Sequence, residues 1–151
     1  MNVNSLHRRG AEDAEFPQRE ITEKILAAAF EVHTLLGAGL LETVYQRALA
    51  HELVLRQLAV AQQVAVPVQY KEVSLGVPLR LDLVVEGQVV VEVKAIAQLD
   101  EIHQAQLLTY LRLSGLSAGL LINFNVPSLR LGGIKRVVNT LRTSAPSVPL
   151  R

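Results

Sequence analysis

The sequence predicts a single α/β domain, an α+β sandwich in which one helix precedes a core ordered α-β-β-β-α-β. Three observations carry this. Two stretches before residue 57 repeat apolar residues at the three-to-four spacing of a helix. Two runs rich in β-branched residues, 79–85 and 89–95, flank a glycine and read as a hairpin. A helical segment near 100–113 then leads into a wholly apolar run, 118–124, suited to a strand buried on both faces. With 151 residues, half of them apolar, the chain can bury one core and is not disordered over most of its length.

Residues 1–18 are polar, mixed in charge and aperiodic, and read as a flexible tail. Ile21 to Leu36 is the first helix: Ile25, Ala28, Ala29, Val32 and Leu36 share a face, and Gly37 suits the position after its last turn. Gly37-Ala38-Gly39 separates it from a second helix, Leu41 to Gln57, with Leu41, Val44, Ala48, Leu49 and Leu55 apolar. Val60 to Tyr70 alternates loosely and reads as a strand, with Pro67 marking an edge or a bulge. Ser74-Leu75-Gly76 falls in the next turn, and the hairpin spans 79–95. A third helix runs from Asp100, its N-cap, to Leu113, and Gly115 closes it. Ile134 to Asn139 is a last strand or a helix. The Ser/Pro-rich end, 143–151, reads as a second tail, which leaves 19–142 as the domain.

The hairpin holds the chemistry. Alternation puts Arg80, Asp82 and Val84 on one face of its first strand, and Val90, Glu92 and Lys94 on one face of its second. A turn centred on Gly87 sets Asp82 opposite Glu92, with Cβ atoms about 5 Å apart. Like charges that close repel and call for compensation. Two readings supply it. In one, Lys94 neutralises both acids in a cross-strand ion ladder. In the other, the carboxylates hold a divalent cation such as Mg²⁺, which takes one or two carboxylates and fills its remaining positions with water and phosphate.

Formal net charge is only +1, yet no Asp or Glu follows Glu101, whereas Arg112, Arg130, Lys135, Arg136, Arg142 and Arg151 do. This segregation gives either a basic surface for phosphates or an ordinary solvated one. The absence of cysteine removes disulfides, thiolate zinc sites and cysteine nucleophiles. No apolar run approaches the roughly 20 residues of a membrane helix, and no apolar segment follows Arg8 and Arg9. A cytoplasmic protein without membrane contact is the expectation. No phosphate-binding loop, nucleophile elbow or zinc-type histidine spacing is present.

Asp82 followed by Glu92-Val93-Lys94, on two strands and ahead of a helix and a strand, resembles the D…(D/E)-x-K signature of the PD-(D/E)XK nuclease superfamily. The proline of that signature is replaced by Leu81. Gly39-Leu40-Leu41-Glu42-Thr43-Val44-Tyr45 is similar to the motif of the bacterial GxxExxY branch, and Gln106 to Tyr110 is similar to the Q-x-x-x-Y motif of RecB-like nucleases. The likeness runs from about Ile21 to Val138 and includes Leu120-Leu121-Ile122-Asn123-Phe124.

The resemblance implies a restriction-endonuclease-like αβββαβ core and a Mg²⁺- or Mn²⁺-dependent nuclease acting on DNA. It makes Asp82, Glu92, the Val93 carbonyl and Glu42 the metal ligands, with Glu42 acting directly or through water. Lys94 activates or orients the water, and Gln106 and Tyr110 position substrate. Arg80, Lys135 and Arg136 become candidate phosphate contacts. Taken residue by residue, Glu42 also fits a helix-start glutamate favoured by the dipole, and Tyr110 fits half-buried packing. The alternative function is an inactive nuclease fold that binds nucleic acid or a protein partner. A homodimer or a larger nuclease complex could supply specificity.

Overall fold

The computed structural model describes residues 16–140. Helix α1 (Arg19–Leu36) buries Ile25, Ala28, Ala29 and Val32, and it ends at Gly37 with φ 70°. Helix α2 (Glu42–Leu55) buries Tyr45, Gln46, Leu49, Ala50 and Leu53. Strand β1 (Val60–Val66) is shorter than the sequence suggests. It stops at Pro67, which has no amide to give to a ladder. Gln69–Tyr70 (β2) pairs instead with Val73–Ser74 (β3) as a separate ribbon, so Ser74 belongs to a strand and not to the turn.

Strands β4 (Leu79–Val85) and β5 (Val89–Lys94) form the expected hairpin. Its turn residues Glu86 and Gly87 have φ 53° and 63°, the mirror-image turn whose twist matches the strands it joins. Helix α3 (Glu101–Ser114) has a capping box in which Asp100 and His103 satisfy each other's amides. His103 is thereby a capping residue. Gly115, left-handed at φ 75°, closes the helix. Strand β6 (Ala118–Asn123) is wholly buried, and β7 (Ile134–Val138) settles the last segment as a strand.

The five-stranded sheet has the order β1-β4-β5-β6-β7, antiparallel except for the β5–β6 pair, which α3 connects. Residues of α1 and α2 pack on one face with Leu83, Val91, Val93, Leu120 and Ile122. Leu107 and Leu111 of α3 pack on the other with Val84, Val90, Leu121 and Val137. Gly119 permits this approach, because a Cβ there would stand 3.1 Å from the Leu107 side chain. The result is the mixed α/β sandwich of a restriction-endonuclease-like fold.

Regular alternation fails at one place. Val60 packs with the α1–α2 face, whereas Val64 and Val66 pack with the α3 face, although all three are even-numbered on one strand. On β4, Leu83 and Val85 lie on the first face while Leu81 lies on the second with Val84. The phase shifts where Gln63, at φ 50°, stands between the register pairs Gln62↔Leu83 and Val64↔Leu81. Arg80 therefore does not share a face with Val84 as strict alternation requires. It lies between Leu79 and Leu81, which pack toward α3, and is itself exposed.

Candidate active site

The phase shift centres on Asp82. The β4–β5 ladder pairs Val85 with Val89, Val84 with Val90 and Leu83 with Val91, and the same register carries Asp82 opposite Glu92. There side chains replace the ladder. Glu92 Oε1 accepts the Asp82 amide at 3.0 Å, and Asp82 Oδ2 accepts the Val93 amide at 2.9 Å. Glu92 is only 5 % exposed. Burial first, and the Asp82 charge second, push its carboxyl up to about 8 from an ordinary 4.5, with Lys94 opposing the shift. At neutral pH the pair therefore holds a proton.

Glu42 opens α2 beside the same groups. The residue is exposed, yet loss of water around its carboxyl raises its pKa, the Lys94 charge opposes this, and the Asp82 charge adds to it. The Ala95 amide lies close enough to favour its charged form. The tyrosine of the same motif does different work. Tyr45 is fully buried, accepts the Leu40 amide and donates to the Gly37 carbonyl, and so closes the loop that leads into Glu42. Its ring stacks on Phe124 at 4.7 Å between centroids. Phe124 in turn gives its amide to the Lys94 carbonyl at 2.9 Å. Helix start and strand end are thus tied through two aromatic rings.

Lys94 ends β5 half-buried, and the segment after it is pinned by Asn123, to which the sequence alone assigns no role. Asn123 is fully buried, accepts the Ile96 amide at 3.1 Å and donates to the Ile96 carbonyl at 3.0 Å. From the α3 side, Gln106 hydrogen-bonds Tyr110 one turn later. Burial first, then the nearby Glu92 and Asp82 charges, raise the Tyr110 pKa, so its hydroxyl stays protonated. Two further residues without a signal in the sequence, Gln46 and Gln63, reach Asp82 from α2 and β1.

A sequence model of the PD-(D/E)XK nuclease superfamily matches residues 19–137. The chain belongs to that superfamily. Neither the comparison with curated proteins nor that with solved structures finds a match. PD-(D/E)XK proteins are generally nucleases, and such enzymes typically use divalent metal ions, so the donor set bears directly on function. Asp82 and Glu92 form a close, mostly buried carboxyl pair whose mutual repulsion is relieved only by a proton or a cation. Hard oxygen atoms under that stress suit a hard divalent ion. The three acids do not form one ready-made cluster: among the described residues, no group of three or more His, Cys, Asp or Glu side chains is arranged to hold a metal ion. Glu42 stands at the edge of a two-carboxylate site.

The basic candidates divide between the two faces. Glu92 registers with Leu121, which registers with Lys135, and Leu121 packs toward α3. Lys135 therefore lies in the row of Glu92, two strands away. Arg136 registers with Leu120 on the other face, where its guanidinium lies 5.8 Å from the centroid of the Phe16 ring. Among the described residues, no helix is long and apolar enough to cross a membrane.

Proposed function

We propose that this chain is a Mg²⁺- or Mn²⁺-dependent nuclease that hydrolyses DNA phosphodiester bonds, of the GxxExxY type with the RecB-like Q-x-x-x-Y element. The single observation that carries the reading is the Asp82–Glu92 pair with Lys94 two residues on, at the point where the β4–β5 ladder gives way to side-chain hydrogen bonds. Asp82, Glu92 and the Val93 carbonyl would hold the ion, with Glu42 reaching it directly or through water. A divalent ion there would lower the pKa of an attacking water and offset charge on the phosphoryl oxygens.

The chain's own groups do the rest. Lys94 orients the water and counters the negative charge that grows as water adds to phosphorus and one P–O ester bond breaks. The attacking water gives up a proton to solvent as its oxygen bonds to phosphorus, and the leaving alkoxide takes up a proton from solvent. Tyr110, held protonated, donates to a phosphate oxygen, and Gln106 fixes the direction of that donation. Lys135, in the row of Glu92, supplies a phosphate contact that does not depend on base sequence, whereas Arg80, exposed on the opposite face of β4, lies outside that row.

The test is direct. Purified protein is expected to nick or degrade DNA with Mg²⁺ or Mn²⁺, and Lys94→Ala is expected to lose that activity with its circular dichroism and melting temperature unchanged. Undiminished cleavage by the variant removes the mechanism. A second reading, a non-catalytic nuclease fold that binds nucleic acid or a protein partner, is favoured by one observation: Asp82 and Glu92 already satisfy each other through backbone amides. Calorimetric titration with Mn²⁺, with and without DNA, separates the two, since heat in the wild type that is lost in Glu92→Ala supports the nuclease.

A further inference from the structure

We infer that Gln46 and Gln63 are positioning residues: Gln63 holds the Asp82 carboxylate in the orientation its site requires, and Gln46 holds Gln63 and the Asp82 main chain. The inference rests on the reading of Asp82 and Glu92 as an oxygen-ligand pair. Gln63 Nε2 donates to Gln46 Oε1 at 2.8 Å and to Asp82 Oδ1 at 3.4 Å. Gln46 Nε2 points to the Asp82 carbonyl at 3.5 Å. Gln46 is 8 % exposed on α2, so its amide is committed to this contact and not to solvent. A helix and an edge strand thus converge on one residue of β4, gripping both its side chain and its main chain.

Gln63 has φ 50°, a left-handed conformation in mid-strand. For a residue with a Cβ this costs about 1–2 kcal/mol. Strain of this kind persists where its surroundings enforce it. Here it coincides with the register position opposite Asp82 and with the phase shift of both strands. The carboxylate accepts the Val93 amide on Oδ2 and the Gln63 amide on Oδ1. A carboxylate has roughly four lone-pair directions, so two donors fix its plane and leave capacity for a further partner. Groups that orient a ligand in this way typically change metal affinity or activity about 10- to 100-fold when removed.

Gln63→Gly is the decisive variant, because glycine keeps the left-handed backbone without strain while removing the side chain that reaches Asp82 and Gln46. Its melting temperature is expected to stay at or above that of the wild type. Its Mn²⁺ dissociation constant, measured by calorimetry, is expected to rise roughly tenfold or more, and DNA cleavage to fall in kcat with KM unchanged. Gln46→Met, close in volume, is expected to weaken Mn²⁺ binding similarly; if it does not fold, Gln63→Gly decides alone. Wild-type Mn²⁺ affinity and kcat in Gln63→Gly overturn the inference.

A metal-free readout keeps it separate from the nuclease reading. In ¹⁵N spectra, Asp82→Ala is expected to move the side-chain amide resonances of Gln46 and Gln63, and unmoved resonances overturn the clamp. If the wild type neither binds Mn²⁺ nor cleaves DNA, the nuclease reading falls, and these resonances still decide whether the clamp exists.

Discussion

Glu92 Oε1 accepts the main-chain amide of Asp82, while Asp82 Oδ2 accepts the amide of Val93, the residue after Glu92. Each acid thus reaches across to the other's strand and takes a hydrogen bond that the ladder would otherwise use. The sheet opens at this position, and the opening holds two carboxyl groups together, that of Glu92 buried and that of Asp82 half-buried. Repulsion between them follows from the same geometry that fixes them.

Stability should therefore depend on pH through Glu92. Its carboxyl binds a proton at about 8 in the folded chain against 4.5 ordinarily. Between those values the folded state holds more protons than the unfolded one, so stability falls as pH rises from about 4.5 to about 8. Glu92→Gln keeps a carbonyl to accept the Asp82 amide and removes the titration. In metal-free buffer it is expected to unfold at higher urea than the wild type at pH 8, by more than ~1 kcal/mol given about 1.4 kcal/mol per pKa unit. The difference should vanish near pH 4.5. Parallel stability curves for the two proteins would contradict this account.

Cation binding should displace the same proton, because ligands bind deprotonated. With the carboxyl at about 8, most Glu92 is protonated at pH 7. Calorimetry in two buffers of different ionisation enthalpy is expected to show release of about one proton per Mn²⁺ at pH 7, declining toward none at pH 9.5. Release that does not change over this range would mean that Glu92 is not the ligand.

The tyrosine of the G-x-x-E-x-x-Y motif should be structural. Its hydroxyl bridges Leu40 and Gly37 in a buried position, and its ring keeps the stack on Phe124. Tyr45→Phe retains the stack and strips both hydrogen bonds, so it is expected to cost ~1–3 kcal/mol in urea unfolding. Direct phosphate contact by Tyr45 would instead show as lost cleavage at unchanged stability.

Much of this was legible because period and punctuation agree. The β-branched runs around Gly87, the Asp100 cap and the Gly115 close each fixed an element with its mechanism, and the hairpin centre alone set Asp82 opposite Glu92. The convergence of side chains from other elements was not legible. Nothing in Val60-Ala61-Gln62-Gln63-Val64 marks Gln63 as left-handed, since glutamine carries no preference for that conformation. Asn123 sits in an apolar run and became visible only through its partner Ile96. The split between Lys135 and Arg136 follows from simple alternation, yet it needed the last segment to be a strand and not a helix.

That split yields a further prediction. Lys135 is exposed in the row of Glu92, whereas Arg136 lies on the other face beside Phe16, Arg19, Thr22 and Glu23. A lysine on a phosphate contributes through counterion release, so Lys135→Ala should weaken DNA binding about equally for all sequences and reduce the salt slope by about one. Arg136→Ala should instead lower the melting temperature by loosening the start of α1, with the salt slope unchanged. Binding isotherms at several salt concentrations decide it. An equal loss of slope in the two variants would place DNA on both faces of the sheet, and the row through Glu92 would no longer define the substrate path.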